Sequence, residues 1–179
     1  MKKYLFLLSF FSVGSLLSQA QVQNTSYINK SGEKVLQLSI TVPLDVQQTW
    51  DYFTQDTKLV KWIAPVAHIE LKNGGYILTN YDKSKKLSDS SSIKLGMTSY
   101  LQNELLILKV ELNGHFSKKT QEEDTNLQEI IQFIPLAPGK TKIISSMIGW
   151  GTGADWDKNY DFFVRGNIYT YEELLKILK

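Results

Sequence analysis

The order of segments in this sequence predicts an α+β fold, a curved antiparallel sheet of about seven strands with two short helices near its start and one long helix at its end. Two observations carry that prediction. Six successive strand patterns follow residue 65, separated by turn residues. A glycine-rich run, Gly149 to Gly153, then leads into an amphipathic stretch that continues almost to the C-terminus. A sheet that ends by laying one long helix across itself makes a cup with an apolar inside, which suits binding of a small apolar molecule.

The first twenty residues stand apart. Lys2 and Lys3, the apolar run from Leu5 to Leu17 and the small-residue ending Ser18-Gln19-Ala20 have the order of a secretory signal peptide. The run falls short of the roughly 20 apolar residues of a membrane span, so no stable span is expected after processing. Cleavage near Ala20 of the 179-residue chain would leave 159 residues and an exported protein, periplasmic or secreted. With no cysteine in the chain, stability cannot come from disulfides. The leader also carries the charge excess: 20 basic and 18 acidic residues give +2, and removing Lys2 and Lys3 leaves 18 against 18. A neutral chain without a basic stripe argues against a nucleic-acid partner. Lys83, Lys85 and Lys86, flanked by Asp82 and Asp89, read as a solvated loop.

Residues 21–33 read as an N-terminal extension, and 34–179 as one domain. Lys34 to Val42 alternates as a strand and stops at Pro43. Pro43-Leu44-Asp45 then opens a helix in which Val46, Trp50 and Phe53 recur at helical spacing. Asp56 reads as the cap of a second short helix running through Trp62 and ending before Pro65. The six strand candidates are Ala67–Leu71, Gly75–Tyr81, Met97–Leu101, Glu104–Leu112, Asn126–Pro135 and Lys140–Ile148. Asn73-Gly74, Gln102-Asn103 and Pro138-Gly139 supply turn chemistry between them. The connections 82–96 and 113–125 are long and polar, and read as mobile loops controlling access to a cavity.

In the last element, Trp156, Tyr160, Phe163, Val164, Asn167, Tyr171, Leu174, Leu175 and Leu178 share one helical face. Asp155 is placed to cap the first turn, and Asp157 complements the positive end of the helix. Gly166 costs about 1 kcal/mol relative to alanine in a helix interior, which suggests a close approach to the sheet. Asn167 is the one amide in the buried stripe and needs a partner.

Val42 to Thr54 (VPLDVQQTWDYFT), Lys58 to Trp62, Asn73 to Asn80 (NGGYILTN) and the GWGTGADWDKNYDFFVRGN run from Gly149 resemble the SRPBCC superfamily of START-related and birch-pollen-allergen-like proteins. Their spacing is most similar to its AHSA-like branch, named for the heat-shock ATPase activator homologue. The resemblance spans residues 34 to 178 and implies the helix-grip fold, with a cavity for hydrophobic ligands between sheet and long helix. It also carries a co-chaperone role, for which an exported chain would lack the cytosolic partner. Relatives commonly place tryptophan after the mid-helix glycine, where this chain has Asn167, so their ligand preference does not transfer.

Motifs of catalysis are thin. Gly149-x-Gly151-x-x-Ala154 has the spacing of a dinucleotide fingerprint, yet the chain ends inside the following helix without the second parallel strand that the fingerprint requires. Gly139-Lys140-Thr141 echoes a phosphate loop, but Ile134 occupies the upstream glycine position. The only histidines, His68 and His115, lie 47 positions apart, outside any metal-ligand spacing, and both read as exposed. No metal or other cofactor is called for. No cysteine or G-x-S-x-G elbow offers a nucleophile, so acid or base work by Glu70, Glu104 or Asp155 is the remaining catalytic chemistry. The candidate ligand-binding set is aromatic: Trp62, Tyr76, Tyr100, Phe133, Trp150, Trp156, Tyr160 and Phe163, with Asn167 as the amide. Tyr76, Tyr160 and Asn167 are its polar members. The readings that follow are an exported binding protein for a small hydrophobic or amphipathic molecule and, from a different class, a polyketide-cyclase- or hydrolase-like enzyme using a cavity tyrosine or carboxylate. A cavity of roughly 300 Å³ with convergent polar groups would favour a site, and a strongly perturbed inward carboxylate would favour the enzyme.

Overall fold

A computed structural model describes residues 21–179. The expected leader, 1–20, lies outside the described residues. The chain runs β1 (Gln23–Asn24), β2 (Tyr27–Ile28), β3 (Lys34–Val42), α1 (Val46–Thr54), α2 (Asp56–Leu59), β4 (Val66–Glu70), β5 (Tyr76–Asn80), β6 (Ile93–Leu101), β7 (Leu105–Val110), α3 (Lys118–Glu123), β8 (Gln128–Ala137), β9 (Lys140–Ile148) and α4 (Ala154–Ile177). The strands form one antiparallel sheet in the order β1-β3-β9-β8-β7-β6-β5-β4, with β2 also on β3. The fold is the expected α+β arrangement of antiparallel sheet and long C-terminal helix.

Two strands beyond the expected seven come from residues 23–28. Gln23 and Asn24 pair with Ser39 and Leu38, and Tyr27 and Ile28 with Val35 and Lys34. Two-residue strands are too short to show alternation, so only their pairing reveals them. They cover the outer side of β3, where Val35 and Ser39 are buried although they point away from Leu36, Leu38 and Ile40.

Helix α1 starts at a capping box. The Asp45 carboxylate accepts from the Gln48 amide at 2.7 Å, and the Gln48 side chain accepts from the Asp45 amide at 3.3 Å. Pro43 therefore precedes the cap and is not in the first turn. Trp50 and Phe53 point inward, meeting Phe133 edge-on at 5.3 and 5.0 Å between ring centres. In α2 the cap position belongs to Gln55, whose side chain makes no capping bond. Asp56 instead accepts from the Ile69 amide at 2.8 Å and meets His68 Nδ1 at 2.6 Å, tying the helix to the edge strand β4. The alternation in β4 holds: Ala67 and Ile69 are buried and His68 is half-exposed between them.

Both long connections are shorter than expected. Strand β6 begins at Ile93, because Ile93, Leu95 and Met97 alternate through Lys94 and Gly96. Inside 113–125, Ser117 accepts from the Thr120 amide at 3.2 Å and opens α3, whose Lys118–Glu123 sequence is polar all round and buries only Thr120. Asn80, buried at the end of β5, holds the remaining 82–92 segment by donating to Ser91 and Ser92 at 3.0 and 3.1 Å.

The turn into α4 is built around glycine. A Cβ on Gly149, whose φ is +82°, would sit 2.1 Å from the Asn126 carbonyl oxygen, and one on Gly151 would sit 2.2 Å from Trp156 Nε1. Trp156 is thereby pressed under the turn and donates to Glu123 at 2.9 Å, joining α4 to α3. Gly153 occupies the cap position, and Asp155 makes no capping bond; Asp157 pairs with Lys34 across the first turn. Tyr171, Leu174 and Leu175 enter the core, where Tyr171 stacks on Trp62 with 6.1 Å between ring centres.

Candidate functional site: a cavity between the sheet and α4

The interior has two unequal halves. Leu36, Leu38, Trp50 and Phe133 are buried together where β3, β8 and β9 meet α1. Between β5–β9 and the middle of α4 lies a cavity of about 380 Å³. Its floor is largely apolar, with Ile77, Leu95, Leu108, Val110 and Ile131 pointing up from the sheet beside Thr79 and Glu129. Phe163, Gly166, Asn167 and Thr170 of α4 form the roof. At the rim Tyr81, Phe162 and Tyr169 also line the space, and all three are at least half exposed, so the cavity opens to solvent there.

The expected site residues divide by position. Trp62, Phe163 and Asn167 line the cavity. Asn167 donates to Met147 Sδ at 3.3 Å, a weak acceptor, so its amide retains bonding capacity beside the cavity. The other six lie off its wall. Tyr76 sits on the outer face of β5, against His68 and under Lys94, because β5 turns Ile77 and Thr79 inward. Tyr100 and Phe133 pack against Trp50 in the solid half. Trp156 is under the glycine turn. Trp150 donates to the Met147 carbonyl at 3.1 Å and packs on Tyr160, which Lys34 covers from outside. Gly166 differs from expectation as well: nothing lies within 4 Å of where its Cβ would be, so it opens space in the roof instead of allowing a close approach.

The polar centre of the cavity is Glu129, which the sequence pattern had not singled out. Leu127, just before β8, and Glu129, Ile131 and Phe133 on it alternate on the inward face, so a carboxyl stands in an apolar phase. Ser145 on β9, in phase with buried Ile143 and Met147, donates to Glu129 Oε1 at 2.6 Å. The Tyr171 hydroxyl of α4 faces the same pair. Burial pushes the Glu129 carboxyl above its usual range, while the Ser145 and Tyr171 hydroxyls pull it back. Burial, with the neighbouring Glu129 charge, pushes the Tyr171 hydroxyl well above its ordinary value. The alternation itself was the available signal, since a glutamate in phase with three apolar residues of one strand faces the core. Among the described residues Glu129 is the only carboxylate on the cavity wall, and no lysine, arginine or histidine joins it there. Nor does any group of three or more His, Cys, Asp or Glu among the described residues converge as a metal site would, and none of the described helices is long and apolar enough to cross a membrane.

An antiparallel sheet gripping a C-terminal helix over a cavity is an SRPBCC/AHSA-like architecture. Solved structures share it. A conserved protein of unknown function from Enterococcus faecalis superposes with a TM-score of 0.63 at 14% identity, over 88% of this chain and 77% of that one. An HSP90 activator from Plasmodium falciparum gives 0.58 at 13% identity, over 80% and 95%. The Aha1 dimer from Colwellia psychrerythraea gives 0.56 at 14% identity, over 80% and 92%. No family model matches the sequence, and no curated protein matches it. At these identities the likeness is one of fold.

Proposed function

We propose that this is an exported small-molecule-binding protein that holds a hydrophobic or amphipathic ligand between the sheet and α4. The observation that carries the reading is the cavity, whose 380 Å³ falls in the usual range of about 300–1,000 Å³ for ligand sites. Its make-up, apolar and aromatic walls around a few polar groups, is that of such sites. Export rests on the order of basic, apolar and small residues in 1–20. Native mass spectrometry of protein purified without denaturation tests the binding reading. An adduct of lipid-like mass that dissociates on unfolding is the expected result; a bare protein that also takes up no apolar probe would overturn it. Sequencing the N-terminus of the processed protein tests export, with Gln21 expected first.

One observation favours a second reading, an enzyme of polyketide-cyclase or hydrolase kind. Glu129 is an inward carboxyl whose proton affinity is raised by burial, which is how a general acid or base is prepared for neutral pH. Under this reading Glu129→Gln accumulates an unconverted compound where the wild type releases a product, and equal adduct masses in both proteins exclude it.

A further inference from the structure

Resting on the ligand-binding reading, we propose that the cavity selects ligands carrying a protonated amine, seated on Glu129 with an apolar body between the sheet and α4. The geometry has three parts. First, a carboxylate offers about four acceptor sites; the Ser145 hydroxyl occupies one at 2.6 Å and Tyr171 faces another. The remaining capacity faces the cavity that Glu129 lines. Second, among the described residues no cation stands on that wall. The groups around Glu129 are Leu108 from β7, Ser145 and Met147 from β9 and Tyr171 from α4, with Tyr81 just past β5 within electrostatic reach, none of them positively charged. A desolvated carboxylate without a charged partner is costly, and an ammonium ligand supplies the missing charge. A fatty acid would bring a second carboxylate to the same place, where like charges cannot both stay ionised without cost. Third, the way in passes Tyr81, Phe162 and Tyr169, with Trp62 and Phe163 further inside. Aromatic faces attract an organic cation and do not attract an anion.

The chemistry of the ligand is thereby narrowed from hydrophobic in general to hydrophobic and basic. Glu129 must be ionised to hold the amine, so affinity for it falls as pH drops through the carboxyl's titration, while affinity for a neutral ligand of the same shape stays flat. The carboxyl titrates above the ordinary glutamate range, which puts the fall at milder acidity than an exposed glutamate would give.

The test compares n-decylamine, n-decanol and n-decanoate, each below its micellar concentration or solubility limit, by titration calorimetry on the processed protein at neutral pH. The amine is expected to bind about tenfold tighter than the alcohol, as a charge-assisted hydrogen bond does relative to a neutral one, and decanoate weakest. Glu129→Gln is expected to bring the amine down to the alcohol's affinity and to leave the alcohol within about twofold. Decanoate binding as well as the amine, an amine preference that survives Glu129→Gln, or a pH profile identical for amine and alcohol would overturn the inference. If the alcohol binds and the amine binds no better, only the amine preference is lost. If none of the three binds, the ligand-binding reading fails with it. The wild-type series and its pH profile decide the matter even should the variant not fold.

Discussion

Glu129 and Gly166 face the same cavity from opposite walls, one by a side chain too polar for its surroundings and one by a side chain that is missing. The cost of the first depends on pH. Because its folded proton affinity is raised, the folded state holds the proton over a range where the unfolded chain has released it. Stability is therefore undiminished below the unfolded value of about 4.3 and declines as pH rises through the folded value. Glu129→Gln, which keeps a partner for Ser145, is expected to raise the melting temperature at pH 7 and to give no gain near pH 4. Differential scanning calorimetry at the two pH values checks this, and an equal shift at both would contradict it. Gly166 leads to a different expectation. It lies within α4 with open space at its Cβ position, so Gly166→Ala should recover the helix propensity of about 1 kcal/mol without displacing a neighbour. A larger residue there should fill the roof and weaken ligand binding. Urea unfolding reads the first effect directly.

At the scale of elements, the turn between β9 and α4 does the positioning. Gly149 brings the chain over Asn126, Gly151 leaves room for the Trp156 indole, and that indole holds α3 through Glu123. Gly151→Ala forces a methyl against a ring that is 2% exposed and hydrogen-bonded, and is expected to cost about 1–3 kcal/mol, as overpacking in a core does. Gly114→Ala is the control. Gly114 has no neighbour within 4 Å of where a methyl would stand and no positive φ, so its change should stay within about 0.5 kcal/mol. What was legible beforehand at this scale had strong local signals. Lys34–Val42, Lys140–Ile148 and the amphipathic stripe of the long helix follow from alternation and 3.6-residue spacing, and they stand where expected. What was not legible depends on partners remote in sequence. Strands β1 and β2 exist because β3 offers them an edge, and α3 holds because Ser117 caps it and Trp156 reaches Glu123. Asp56 reads as a helix cap until β4 lies beside it and takes the carboxylate. The same limit governs the site. Aromatic content named Trp62 and Phe163, and the one amide of the helical stripe named Asn167, together with six aromatic residues that pack elsewhere, because the wall of a cavity and the body of a core draw on one residue vocabulary.

For the whole molecule, the division into a solid half and a hollow half has an energetic consequence. Leu36 is fully buried among close neighbours on the solid side, whereas Ile131 faces the cavity from the sheet floor. Truncating Leu36 to alanine leaves a hole that rigid surroundings cannot close, at a cost of about 2–5 kcal/mol. Truncating Ile131 enlarges a space that already exists and forfeits fewer contacts, so its cost should fall at the lower end of that range. A ligand reverses the order of importance. A compound that occupies the cavity stabilises the folded state by about 2.7 kcal/mol at a hundred times its dissociation constant, provided that the cavity is intact. The stabilisation should persist in Leu36→Ala, whose defect lies outside the cavity, and shrink in Ile131→Ala, whose wall no longer meets the ligand. Thermal melts of the two variants with and without a bound apolar compound decide between this picture and a uniformly packed interior, in which both would lose equal stability and neither would respond.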